Sequence, residues 1–220
     1  NPNLCLADFI SPNGDDHIGI LDNGVPTPLC DCIVECVSKW EEMYPTPNNN
    51  VFREGDKMMK EGHFARNDLQ VCLEVIQLDL ARDFNSYLRK AFDKYTEVYK
   101  GLTQGDDPIS SWTTLIQRTV AGGGYHVWHY EDSEFLYRDR VVAWMVYLNN
   151  IPIENGGATD FLHQKISFQP KAGTVLFWPA TYTHVHRGGF LTGDISKYIA
   201  TGWFLRGPGQ ITRDQLQGEV

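Results

Sequence analysis

The sequence predicts an α+β fold, mainly β, in which a double-stranded β-helix (jelly-roll) core carries N-terminal helices packed against its outside. Three observations predict it. Between Trp112 and Leu205, eight short runs rich in β-branched and aromatic residues alternate with Gly-, Pro- and Asn-bearing turns at even spacing, as in closed double-sheet structures. Before them, Leu69, Cys72, Leu73, Ile76, Leu80, Phe84, Leu88, Phe92, Tyr95 and Tyr99 keep to steps of three and four, the stripe of an amphipathic helix. At 220 residues the chain suffices for one self-contained core. It reads as one structural domain: an irregular and helical support region over 1–111, the jelly-roll core over 112–206, and a tail over 207–220.

Taken in order, 1–28 is rich in Asn, Asp, Gly and Pro and reads as a surface wrap with one short strand at His17–Ile20. Cys30 to Met43 places Ile33, Val34, Val37 and Trp40 at helical intervals, and Pro45-Thr46-Pro47-Asn48 ends that helix. The charged, Gly-bearing stretch Val51 to His63 reads as a loop or lid. The long helix over 69–99 has Asn67 or Asp68 as N-cap and Gly101 as stop, with a break expected near Asp83-Phe84-Asn85. Its aromatics, at helical spacing, are the face packed on a sheet rather than a cofactor box. The strands that follow are Trp112–Val120, Tyr125–Glu131, Val141–Leu148, Ala158–Leu162, Ile166–Gln169, Thr174–Phe177, Thr183–His186 and Lys197–Leu205.

Charge and cysteines limit what the core can do. The formal net charge is 19 − 28 = −9, so no general attraction draws the chain to phosphate backbones or anionic lipid, and neither nucleic acid nor membrane is an expected partner. No apolar run approaches the length of a membrane span, and a soluble chain is expected. The chain does not begin with Met, which leaves a removed leader compatible with it. The five cysteines, Cys5, Cys30, Cys32, Cys36 and Cys72, are odd in number and confined to the first third. That argues against a paired disulfide framework and for a reducing, cytoplasmic setting. Cys30, Cys32 and Cys36 lack the second pair or histidine that structural zinc requires, and read as small residues of a packed helix.

The chemistry lies between Tyr125 and Trp203. Side chains two apart on a strand share a face, so His129 and Glu131 can grip one cation while Tyr130 points away. Asp132 alternates to the other face. His186 or His184, two apart on a second predicted strand, supplies a third ligand. Two imidazoles and one carboxylate form the facial triad that suits non-haem Fe(II), with three positions left open. His126 alternates away from His129 and reads as a hydrogen-bonding residue, whereas His17, His63 and His163 lack partners at ligand spacing.

Five motifs then follow one another in an order that resembles the Fe(II)/2-oxoglutarate-dependent dioxygenases, most closely the prolyl 4-hydroxylases. They are His129-Tyr130-Glu131, the 140–149 strand ending Tyr147-Leu148-Asn149, Gly156-Gly157-Ala158-Thr159-Asp160-Phe161, Pro170-Lys171-Ala172-Gly173-Thr174-Val175-Leu176-Phe177, and His186 with Lys197 and Trp203. The resemblance covers roughly residues 112–205. It favours His186 over His184, because the interval from His186 to Lys197 is closer to the family's ligand-to-lysine spacing. One departure stands out: the prolyl hydroxylases carry His-x-Asp, and here Glu131 holds the carboxylate position. Glutamate still offers an anionic oxygen, so iron binding and hydroxylation remain the expectation.

The resemblance implies Fe(II) on His129, Glu131 and His186, 2-oxoglutarate and O2 as co-substrates, ascorbate as a further cofactor, and release of succinate and CO2 as an unactivated C–H bond is hydroxylated. It implies a co-substrate pocket drawn from Tyr125, Tyr147, Thr159, Lys197 and Trp203. On the last strand Lys197, Ile199, Thr201 and Trp203 share the face expected to look inward, where a lysine needs an anion, and the 5-carboxylate of 2-oxoglutarate provides one. Asp194 is the alternative partner. The expected prime substrate is a prolyl residue in a peptide or protein. The rival readings are a hydroxylase of a free amino acid or other small molecule, a nucleic-acid demethylase of the same superfamily, and a non-catalytic cupin-like metal-binding module. The acidic charge disfavours the second, and the inward lysine disfavours the third.

Overall fold

Two antiparallel sheets face each other across a cavity in the computed structural model, which describes residues 16–44, 68–105 and 107–207. The strands are β1 (Gly19–Leu21), β2 (Leu69–Cys72), β3 (Ile109–Ser110), β4 (Leu115–Thr119), β5 (Arg140–Tyr147), β6 (Thr159–Phe161), β7 (Ile166–Phe168), β8 (Val175–Pro179), β9 (His186–Gly188) and β10 (Lys197–Arg206). The larger sheet runs β1-β8-β5-β10-β4-β2, with β3 also on β10; the smaller runs β7-β6-β9. The core is thus the expected mainly-β jelly roll, and β1 and β2 extend the large sheet from the N-terminal part of the chain.

Helices cover the outer face of the large sheet: α1 (Thr27–Met43), the short α2 (Leu73–Ile76) and α3 (Leu78–Val98). Alternation along the strands assigns each residue to a side. Val142, Trp144 and Val146 of β5 face outward into a cluster with Ile33, Val37, Phe84, Leu88 and Phe92. Ala143 and Tyr147 face inward with Leu176, Trp178 and Ile199. Phe92 of α3 stacks on Phe204 of β10 with ring centroids 3.6 Å apart, so the helix layer packs directly on that strand. Gly202 is small because Trp144 crosses it: an added Cβ would lie 2.5 Å from that ring and 2.7 Å from the Thr113 carbonyl oxygen.

The structure corrects the sequence reading in four places. Leu69–Cys72, expected as the start of a long helix, is an edge strand paired with β4, Gln70 opposite Gln117. Leu69, Val71 and Leu73 are buried at a spacing of two, a strand period hidden because Leu69, Cys72 and Leu73 also fit helical steps. The break falls at Gln77, and α3 runs unbroken through Asp83-Phe84-Asn85. Tyr125–Glu131 is not a strand but an irregular segment joined to β9 by an isolated bridge between His129 and His186. Thr183–His186 is not one strand either: Tyr182–His184 form a 3-10 turn, and the strand begins at His186. The expected features at Cys5, Pro45–Asn48, the lid over Val51–His63, His63, Asn67 and the tail beyond Gly207 lie outside the described residues. Among the described residues no helix is long and apolar enough to cross a membrane.

Candidate metal centre

Backbone pairing brings the three expected ligands together. The His129 N–H donates to the His186 carbonyl at 3.0 Å, and the His186 N–H to the His129 carbonyl at 2.9 Å. One turn on, Glu131 is fixed by its N–H to Ala180 O, 2.9 Å. Among the described residues, His129, Glu131 and His186 are the one group of His, Cys, Asp or Glu able to hold a metal, their ligand atoms all within 4.8 Å. Glu131 Oε1 lies 3.2 Å from His186 Nε2 and 3.6 Å from His129 Nε2. Neighbouring donors about 2.1 Å from one ion would sit about 3 Å apart, close to these two carboxylate–imidazole distances.

The rings are turned the right way. His129 Nδ1 lies 2.8 Å from the Val127 carbonyl and His186 Nδ1 2.9 Å from the His184 carbonyl. A carbonyl only accepts, so each Nδ1 carries a proton, and Nε2 is the ring atom left to face Glu131 or a metal. Burial would raise the Glu131 pKa, but hydrogen bonds and charge from His129 and His186 hold it well below the usual carboxylate range. The residues fit a divalent, iron-type ion.

The other carboxylate oxygen of Glu131 is held by the protein. The Trp203 indole N–H donates to Oε2 at 2.8 Å, and Arg140 Nη1 donates to it at 3.3 Å and to the Glu131 carbonyl at 3.1 Å. Arg140 lies between two rings, 3.9 Å from the Tyr137 centroid and 3.6 Å from that of Trp203. Nothing in the local sequence announced this contact, since Trp203 is 72 positions from Glu131.

A cavity of about 590 Å³ connects the triad to Lys197 and is lined along β10 by Lys197, Ile199, Thr201 and Trp203, the face expected from alternation. Lys197 is 6% exposed. Its Nζ donates to the Gly157 carbonyl at 2.7 Å and lies 5.6 Å from the Tyr147 ring centre. Gly157 presents that carbonyl from a turn with φ +72°, which a residue with a Cβ adopts only under strain. Burial lowers the Lys197 pKa to about 8, opposed by the charge of Asp160. The Lys197 bond goes to Gly157 rather than to the alternative partner, Asp194.

The remaining expected residues are placed as follows. Thr159 lines the cavity. Tyr147 is fully buried, and its hydroxyl is engaged within the protein, 2.7 Å from Thr159 Oγ1 and 3.1 Å from the Phe168 carbonyl. Tyr125 lines the cavity and sets its ring edge-on to His129, centroids 4.6 Å apart. Trp203 lines the cavity too, with its N–H committed to Glu131. His184 is turned away from the triad, its Nε2 2.7 Å from the Asp16 carbonyl. His126 places both ring nitrogens against backbone carbonyls, Gly188 O at 2.8 Å and Gly123 O at 3.0 Å. Cys30, Cys32, Cys36 and Cys72 are free thiols. Reading β2 as helix concealed Asp68 and Gln70, which line the cavity beside Gln117; the signal was their alternation with Leu69 and Val71.

Comparison with known proteins agrees with this geometry. Residues 114–205 match the family model of the 2OG-Fe(II) oxygenase superfamily. No curated protein matches the sequence. Among solved structures, the viral collagen prolyl hydroxylase of Paramecium Bursaria Chlorella virus-1, in its 2OG complex, is 18% identical with a TM-score of 0.61, covering 88% of this chain and 97% of that one. A Pseudomonas putida prolyl-4-hydroxylase is 17% identical with a TM-score of 0.63, covering 87% and 94%. A Trichoplax adhaerens prolyl hydroxylase, in complex with a hypoxia inducible factor oxygen degradation domain peptide fragment, is 14% identical with a TM-score of 0.65, covering 87% and 84%. At these identities the likeness is one of fold.

Proposed function

We propose, from the match of residues 114–205 to the family model of the 2OG-Fe(II) oxygenase superfamily, that the protein hydroxylates an unactivated C–H bond, with a prolyl residue of a peptide or protein as its prime substrate. The observation that carries this reading is one cavity lined both by the His-Glu-His cluster and by a buried lysine. A cupin-like module that merely keeps a metal has no use for an ammonium buried in the same cavity.

Each residue then has a task. His129, Glu131 and His186 would hold Fe(II), with coordination positions to spare for substrates. Lys197 binds the 5-carboxylate of 2-oxoglutarate, a charge-assisted bond strengthened by exclusion of water. Thr159, whose Oγ1 lies beside the Tyr147 hydroxyl, lines the same pocket, and Tyr125 supports the His129 ring. Bound Fe(II), 2-oxoglutarate and O2 together supply an oxidant able to attack an unactivated C–H bond, with succinate and CO2 as by-products. The protein contributes placement, the charge of Lys197 and a walled cavity.

The prolyl preference is supported by the prolyl hydroxylases among the structures of similar fold. It is tested by incubating the protein with Fe(II), 2-oxoglutarate and O2, with and without ascorbate, and measuring succinate and the mass of added prolyl peptides. Succinate formed in step with a one-oxygen mass gain on proline is the expected result. Succinate formed in step with oxidation of a free amino acid, and with none of any peptide, would overturn the substrate assignment.

A further inference from the structure

Glu131 has two carboxylate oxygens, and the protein treats them differently. Oε1 faces both imidazoles, whereas Oε2 receives the Trp203 N–H at 2.8 Å and Arg140 at 3.3 Å. Both partners are themselves fixed. The guanidinium is stacked between the rings of Tyr137 and Trp203 and also bonds the Glu131 backbone carbonyl. The Arg140 and Glu131 side chains are only 15% and 12% exposed, so water competes weakly for these bonds and their charge-assisted character is retained.

We infer that Trp203 and Arg140 are positioning residues that restrict Glu131 to a one-oxygen ligand. The inference rests on the metal site proposed above. A glutamate reaches its ligand atom through two methylenes and can turn either oxygen, or both, toward a cation. Two donors on Oε2 remove that freedom and present Oε1 alone. Without them the carboxylate is free to turn, and Oε1 is no longer held toward the imidazoles. Gripped between Tyr137 and Trp203, Arg140 also ties this control to the wall of the cavity, since all three residues line it. Trp203 therefore serves the ligand of the metal more directly than the co-substrate.

The test is an anaerobic Mn(II) titration of the full chain, with free Mn(II) read by electron paramagnetic resonance, on wild type, Trp203→Phe, Glu131→Asp and the double variant. Trp203→Phe keeps a ring against Arg140 and deletes only the N–H. It is expected to weaken Mn(II) binding roughly ten- to a hundredfold, the usual cost of losing an outer partner of a ligand. Glu131→Asp also weakens binding, and its shorter carboxylate no longer reaches the indole. The double variant should then bind no worse than Glu131→Asp alone, the non-additivity of groups acting through one contact. Arg140→Gln, in the wild-type and Glu131→Asp backgrounds, repeats the comparison with Trp203 intact, should Trp203→Phe not fold. Losses that simply multiply, or Mn(II) affinity unchanged in both Trp203→Phe and Arg140→Gln, would overturn the inference. Wild-type protein that bound no Mn(II) would instead overturn the metal site on which it rests.

Discussion

The Lys197 ammonium donates to the Gly157 carbonyl across 2.7 Å in the cavity that the triad also lines. A neutral carbonyl satisfies one proton of a buried cation but none of its charge, which an anion entering the cavity would meet. Lys197→Ala should weaken 2-oxoglutarate binding roughly ten- to a hundredfold, matching the 1.5–3 kcal/mol typical of a hydrogen bond to a charged group, and leave metal content unchanged. Isothermal titration of 2-oxoglutarate into the Mn(II)-loaded variant checks this. Unchanged affinity would remove Lys197 from the co-substrate site.

Titration of the same lysine fixes a pH dependence. Burial lowers its pKa to about 8 in the folded protein, against about 10.4 in an unfolded chain. Between those values the unfolded state binds more protons, so the ligand-free protein gains stability as pH rises through this window. An anion on Lys197 raises the pKa again, so 2-oxoglutarate binding above about pH 8 takes up a proton. Calorimetry in buffers of different ionisation enthalpy should show that uptake in wild type and none in Lys197→Met.

Tyr147 tests the inner wall. Its hydroxyl bonds within the protein, to Thr159 and the Phe168 carbonyl, so Tyr147→Phe should cost about 1 kcal/mol of unfolding free energy, and more if the Thr159 hydroxyl is left without a partner. Denaturant unfolding measures it. A variant as stable as wild type would show that neither bond contributes.

Phe92 tests the support layer. It is 2% exposed and stacked on Phe204 of the strand that carries Lys197 and Trp203. Phe92→Ala should destabilise the fold by about 3–5 kcal/mol, the usual cost of removing a core phenyl ring. A loss below about 1 kcal/mol in thermal or denaturant unfolding would mean the helix layer does not brace β10.

Much of this architecture was legible because β structure writes itself in pairs. The alternation of Lys197, Ile199, Thr201 and Trp203 gave the inward face of β10, whereas His129 and Glu131 come together although the segment that carries them is not the strand expected. Other features were hidden for identifiable reasons. Leu69–Cys72 satisfies both a period of two and steps of three and four, and only pairing with β4 decides between them. His184 and His186 look equivalent until the 3-10 turn at Tyr182–His184 rotates His184 toward Asp16. The hold of Trp203 and Arg140 on Glu131 joins residues far apart in the chain, and no local pattern encodes it.

The most direct measurement is anaerobic addition of Fe(II) and 2-oxoglutarate to the protein, read as iron per chain and as a visible metal-to-ligand charge-transfer band. Iron should bind one to one, the band should need both components, and both should be lost in His186→Ala and kept in His184→Ala. Wild-type protein without the band, or iron retained in His186→Ala and lost in His184→Ala, would contradict a 2-oxoglutarate oxygenase site at His129, Glu131 and His186.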